Sequence, residues 1–301
     1  MRKLSIFIAF ALVITSLIVT ACQPQAQPVT FTDDSGRAIT VDKVPERIVS
    51  HVPGITEMLF ALGLGDRVVG VSDFCDYPPE AKEKPSVGNY FNPSVENIIA
   101  LDPDLVLTDG HSETIAQLDN LGKKFIVIDP KDINGVFNDL ELIGKVAGVE
   151  SKANELVAKM RQRMDAVTSR VQNAEKVKVF YIVDAVTDPN NPWTAGQGSF
   201  IDWLIMTAGG INIAAQTQGS YVQLSLEQVV SAEPDVILVD GSQGTVVVSI
   251  DTLKQHPVWS KLSAVQNGKV YYIDGDLTNP VPRIMDGLDA IAKAIHPERF
   301  G

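Results

Sequence analysis

The chain has 301 residues, 45% of them apolar, with 25 Lys and Arg against 37 Asp and Glu. That length allows one large domain or two modest ones, and the apolar content excludes a disordered chain. A formal charge of −12 argues against nucleic acid or an anionic membrane surface as the partner, because both require a basic face.

The N-terminus reads as a targeting segment. Arg2 and Lys3 precede an uncharged apolar run from Leu4 to Thr20, which ends in "LIVTAC". Small Ala21 just before Cys22 has the form of a bacterial lipobox, so residues 1–21 are expected to be cleaved as a signal peptide. Cys22 is then the lipidation site, and "QPQAQP" the tether that holds the chain to the outer face of the cell membrane. The apolar run nearly reaches spanning length, so an uncleaved anchor is the alternative. Cleavage removes two cations and no acid, which leaves 23 Lys and Arg against 37 Asp and Glu, a net −14. Such a chain suits docking onto something basic. With Cys22 lipidated, Cys75 has no disulfide partner, and no CxxC metal site exists. Cys75 is expected to be a small buried apolar residue.

After the tether, "VTFTDDSGRAITV" predicts two short strands around a turn at Gly36. "RIVSH" is a short strand. Thr56 is placed as the cap of the helix "TEMLFALG", which Gly63 ends. The strand "DRVVGVS", the helix "SVENIIALD", the strand "DLVLTD", the helix "SETIAQLDNLG" and the strand "KFIVID" follow. Short Val- and Ile-rich runs alternating with helices imply βαβ units around a parallel sheet. From residue 132 to about 172 the strand signal stops. There Leu156, Met160, Met164, Val167 and Val171 fall three or four apart on one face of a long helix, which reads as core rather than a soft-metal site. Strands resume at "VKVFYIV", and a second βαβ series runs through "DVILVD" and "KVYYID" to a terminal helix over about 282–296. The expected division is a tether and hairpin over 22–44, a lobe over 45–150, an interlobe helix over 151–174 and a second lobe over 175–301.

One device occurs twice. "SVENIIALDPDLVLTD", from Ser94 to Asp109, aligns without a gap on "SLEQVVSAEPDVILVD", from Ser225 to Asp240. In each copy a Ser caps a short helix, a Glu lies in its first turn, and Pro103 or Pro234 stops it. Glu96 and Glu227 could serve their own helix N-termini or something outside the chain.

The mature chain resembles the substrate-binding lipoproteins of bacterial ABC importers. The resemblance is carried by "PERIVSHVPGITEMLFALGLGDRVVGVSDFCDYPPEA", "NPSVENIIALDPDLVL", "PWTAGQGSFIDWLIMTAGGINIA" and "HPVWSKLSAVQNGKVYYID". It implies an α/β fold of two Rossmann-like lobes joined by a single long rigid helix, with a ligand cleft between them. It also implies a monomer with no cofactor, working with an ABC permease dimer and its ATPase subunits. In that class one Glu on each lobe tip pairs with permease arginines, and Glu96 and Glu227 match those positions. The ligands are vitamin B12, ferric siderophores and haem.

Ligands of open α/β sheets lie beyond the carboxyl ends of the strands. The loops expected there hold Phe74, Tyr77, Tyr90, Phe91, Trp193 and Tyr221, aromatic rings suited to a flat, partly apolar ligand. His51 and His111 also follow strands, and imidazole can ligate cobalt or iron or simply donate a hydrogen bond. His256 and His296 are expected to be structural. The B12 branch is the nearest, through "VSDFCDYPPEA" and "GNYFNPSVENI", with Phe74, Tyr90, Trp193 and Tyr221 at its pocket positions. The loop "DGHSE" departs from it, because a Trp stands there in that branch, and haem or a ferric chelate stays open as ligand.

No enzyme signature appears. "GLGDRVVG" lacks the G-x-G-x-x-G spacing and runs from helix into strand, and "GQGSF" is not a nucleophile elbow. A membrane-tethered ligand sensor on the same fold is the alternative from another class.

Overall fold

Two parallel sheets of four strands each carry the molecule. The computed structural model describes residues 28–111, 114–186, 188–242 and 247–301. The proposed signal peptide and Cys22 lie outside the described residues. Among those described, no helix is long and apolar enough to cross a membrane.

Strands β1 (Val29–Thr32) and β2 (Ala38–Val41) form the expected antiparallel hairpin. The buried Asp33 fixes its turn. That carboxylate accepts from Ser35, from the Arg37 backbone and guanidinium, and from the Val127 N–H. The first lobe follows with β3 (Ile48–Ser50), helix α1 (Pro53–Ala61), β4 (Val68–Val71), the two-residue strands β5 (Gly88–Asn89) and β6 (Asn92–Pro93), α2 (Val95–Ala100), β7 (Leu105–Thr108), α3 (Thr114–Asn120) and β8 (Phe125–Val127). Its sheet order is β4-β3-β7-β8. Thr56 is not the cap of α1. The helix starts at Pro53, whose fixed φ suits a first helical position, and Thr56 is buried inside it, bonded to Ser50 Oγ at 2.7 Å.

Helices α4 (Ile133–Val146) and α5 (Glu150–Val171) have no strand between them. The second lobe holds β9 (Val177–Ile182), β10 (Trp193–Ala195), α6 (Phe200–Thr207), β11 (Gly210–Asn212), β12 (Tyr221–Gln223), α7 (Leu226–Ala232), β13 (Val236–Asp240), α8 (Ile250–Gln255), α9 (Ser263–Gln266), β14 (Val270–Ile273), α10 (Ile284–Ile295) and α11 (Pro297–Phe300). Its sheet order is β11-β9-β13-β14. The short pairs β10–β12 and β5–β6 fall in segments expected to be loops, and the edge strand β11 falls where no element is predicted.

On α5, Met160, Val167 and Val171 are buried as the spacing predicts, joined by Ala153 and Val157. Leu156 and Met164 are half-buried against the same core. That core does not divide at the lobe boundary. One continuous cluster takes in Leu59 and Leu107 of the first lobe, the apolar face of α5, and Leu238 and Leu288 of the second. Polar contacts tie α5 to both sides. Arg161 lies over the Phe137 ring at 4.3 Å, and Arg163 reaches Asp286 and Asp289 on α10 at 2.6 and 2.5 Å.

Asp139 on α4 is buried, with Oδ2 lacking a partner among the described residues. Burial first, then the Asp34 carboxylate beside it, then Asp129, push its carboxyl up to about 8. An acid whose folded pKa exceeds the unfolded value of about 4 stabilises the fold through its proton. That contribution is complete below about pH 4 and is lost as pH rises through about 8. Asp139→Asn keeps the shape without the titration. Its melting temperature should fall less than that of the wild type between about pH 5 and pH 8, and equal slopes would show that Asp139 holds no such proton.

Candidate functional site

The first lobe brings three rings together beyond the ends of β3 and β4. Phe74, Tyr90 and Phe91 meet edge to face, with centroids 6.5 Å (Phe74–Tyr90), 6.1 Å (Phe74–Phe91) and 4.9 Å (Tyr90–Phe91) apart. This is the favoured geometry for quadrupolar rings. Phe91 is 79% and Phe74 49% exposed, a costly arrangement for rings with nothing to cover them. Tyr90 donates its phenol hydrogen to Asp109 at the end of β7. Burial, and then that carboxylate, hold the phenol well above its ordinary pKa.

His51 lies beneath this group. It is 3% exposed and stacks on Tyr90 at 5.5 Å. Its Nε2 donates to the Tyr90 carbonyl at 2.7 Å, since a carbonyl can only accept. Its Nδ1 then accepts from the Thr108 hydroxyl at 3.3 Å. Burial lowers its pKa, which keeps the ring neutral. Both nitrogens are therefore engaged inside the lobe, and the ring supports Tyr90 rather than opening to the cleft. His111 differs. It is exposed, with Nδ1 3.6 Å from Asp109. No group of three or more His, Cys, Asp or Glu among the described residues is placed to hold a metal.

A cavity of about 330 Å³ lies against the rings, walled by the start of α1 and by Asn279, Pro280 and Val281 of the other lobe. The lobes meet closely here: a Cβ on Gly54 would stand 3.1 Å from Val281. At the same seam Arg283 donates from Nε and Nη2 to both oxygens of Glu57, each at 2.7 Å. Tyr77 covers this pair, with the guanidinium carbon 3.6 Å from its ring centroid. Tyr77 therefore lines a second cavity, of about 680 Å³, which shares Glu57 with the first but has the charged Glu80, Glu83 and Lys84 in its wall. The sequence reading misses Glu57 and Arg283. The available signal is a lone carboxylate in an otherwise apolar helix, which demands a cation.

In the second lobe Trp193 and Tyr221 stand on the antiparallel pair β10–β12. Trp193 is opposite Gln223 and Tyr221 opposite Ala195. Alternation puts both rings on one face, diagonal to each other. They are 40% and 56% exposed and do not line the 330 Å³ cavity. Cys75 is buried, and its thiol accepts from Thr56 at 3.2 Å. His256 accepts from the Val258 and Trp259 backbones, and His296 is buried.

The duplicated segment now divides by task. Ser94 and Ser225 cap α2 and α7, accepting from the Asn97 and Gln228 N–H groups. Asp104 and Asp235 accept from the backbone N–H groups of Arg47 and Lys178, locking each strand to its neighbour. Leu107 and Leu238 are buried. Asp109 and Asp240 each accept from a tyrosine hydroxyl, that of Tyr90 and Tyr181. Glu96 and Glu227 are exposed, and neither enters an ion pair among the described residues.

Two parallel α/β lobes, a single long helix between them and an aromatic cleft at the strand ends define a solute-binding protein of the class built on one rigid interlobe helix. Residues 48–277 match the family described as periplasmic binding protein. An uncharacterized ABC transporter substrate-binding lipoprotein of Bacillus subtilis is 34% identical over 281 residues, 91% of this chain and 87% of that protein. A cobalamin-binding protein of Halobacterium salinarum is 34% identical over 314 residues, 95% of this chain and 84% of that one. The periplasmic heme-binding protein RhuT from Roseiflexus superposes with a TM-score of 0.73 at 29% identity, over 84% of this chain and 99% of its own. The chain belongs to the periplasmic binding protein family.

Removing one partner of the Glu57–Arg283 pair strands a charge with little solvent. Glu57→Ala should cost about 3 kcal/mol in urea unfolding. Glu57→Ala with Arg283→Met should recover much of that loss. A double variant no more stable than the single one would mean that the pair is not the contact that matters at this seam.

Proposed function

We propose that the chain captures a corrinoid between its lobes and delivers it to an ABC permease dimer driven by its ATPase subunits. The coarser part rests on the family, whose members are substrate-binding transport proteins that act outside the cytoplasm. The observation that carries the finer part is the exposed Phe74–Tyr90–Phe91 cluster, facing a cavity that the other lobe closes. Large flat apolar faces of this kind bind by burial and stacking. Trp193 and Tyr221 supply the opposing rings from the second lobe. His51 acts through Tyr90, and His111 reaches the polar edge of the ligand. Tyr77 holds Arg283 in line. The cobalamin-binding relative favours a corrinoid, and the heme-binding neighbour makes haem the competing ligand.

Residues 45–150 and 175–301 act as the two lobes and 151–174 as the strut between them. The shared core along this strut limits closure, so the cleft takes up ligand with small movements. Cys22, once acylated, would hold the monomer at the membrane. Glu96 and Glu227 dock the two tips on permease cations. Exposed ion pairs contribute little affinity each but fix orientation and speed encounter.

Titration of the chain lacking residues 1–22, followed by Trp fluorescence, should show saturable quenching by cyanocobalamin and cobinamide. Tyr90→Ala and Trp193→Ala should each weaken that binding by about tenfold or more. Quenching by haemin or a ferric hydroxamate alone would overturn the corrinoid assignment. Glu96→Ala with Glu227→Ala should leave the titration unchanged and impair uptake in cells. Unimpaired uptake would remove the docking role.

A further inference from the structure

The two short helices share a second exposed feature. Ile99 on α2 and Val230 on α7 occupy the same place in the repeat, and they are 36% and 39% exposed. Each follows its glutamate by three residues, so each shares a helix face with it. The core does not need them, because Ile98 and Val229 already fill the buried position of each helix. A single exposed aliphatic residue is ordinary. Here, however, both copies place an exposed β-branched aliphatic, Ile99 or Val230, on the same helix face as an exposed acid, Glu96 or Glu227. The lobes thus present the same mixed element twice: a carboxylate with no ion pair among the described residues and, one turn on, an apolar knob.

We infer that Ile99 and Val230 are paired apolar anchors for a partner face with two equivalent sites, each offering a cation for the glutamate and an apolar recess for the knob. The occupant is the membrane permease, so this inference rests on the importer reading above and adds the apolar half of the contact. A carboxylate pair alone would give a contact that salt erodes. Burying the two side chains adds a component that salt does not screen, worth about tenfold in affinity for the pair.

The test uses the full-length chain in cells that produce its transporter. A photo-crosslinking benzoylphenylalanine is placed singly at positions 97, 99, 228, 230 and 206, the last being the exposed Met206 on α6 of the second lobe. Adducts are identified by mass spectrometry. Positions 99 and 230 should each capture a polytopic membrane subunit, and position 206 should not. Adducts from 97 and 228 with none from 99 or 230 would overturn the apolar anchors while docking by these helices stands. Capture from one lobe only would overturn the paired arrangement. No adduct from any of the four would overturn both this inference and the docking role. In parallel, Ile99→Ser with Val230→Ser should keep the wild-type unfolding midpoint and ligand titration and lower the affinity for detergent-solubilised permease about tenfold. Unchanged affinity would also refute the anchors.

Discussion

Arg283 and Glu57 meet at the seam between the lobes, one from each side, through two contacts of 2.7 Å. Around this pair the lobes are already joined, because one apolar core passes from the first sheet along α5 into the second. A hinge needs a region where few contacts cross. Here the crossing is filled by side chains and closed by a half-buried bidentate ion pair capped by Tyr77. The lobes are therefore joined by packing and an ion pair as well as by the chain. For the corrinoid capture proposed above, preorganisation of that kind would lower the ordering cost of binding.

The polarity of the sheets turns this frame into a site. Every strand pair in both main sheets is parallel, so each lobe sends its loops out at one edge. The rings come from those edges, and their supports come from the strands themselves. Asp109 closes β7 and receives the Tyr90 phenol, while His51 follows β3 and bonds the Tyr90 carbonyl. A ring braced at its hydroxyl, its backbone and its face is a fixed surface. The outer helices carry the opposite kind of surface, with carboxylates that nothing in the described chain satisfies. Those acids open the helices that directly follow the ring-bearing pairs, Glu96 shortly after Phe91 and Glu227 shortly after Tyr221.

How much of this the sequence showed follows from the range of each interaction. The eight strands of the two main sheets are local Val- and Ile-rich runs apart from β11, and they were legible. So was the long helix, through its spacing. The repeat was legible because its capping and strand-locking residues act within a few positions or on the adjacent strand. Trp193 and Tyr221 were expected on loops and stand on strands, because β10 and β12 are three residues each and gain stability only by pairing with each other. His51 was expected at the cleft, since the end of a strand does not tell which way the next ring turns; its burial depends on Tyr90, 39 residues on. The Glu57–Arg283 pair spans 226 positions, and only the fold brings it together.

The most direct test is a crystal structure of the mature chain with cyanocobalamin bound. The corrin ring should lie between the Phe74–Tyr90–Phe91 cluster and the Trp193–Tyr221 pair, with the Glu57–Arg283 contact intact and the lobes shifted only slightly. A corrinoid held on one lobe alone, or seated in the charged cavity beside Glu80 and Lys84, would contradict capture between two preorganised aromatic faces.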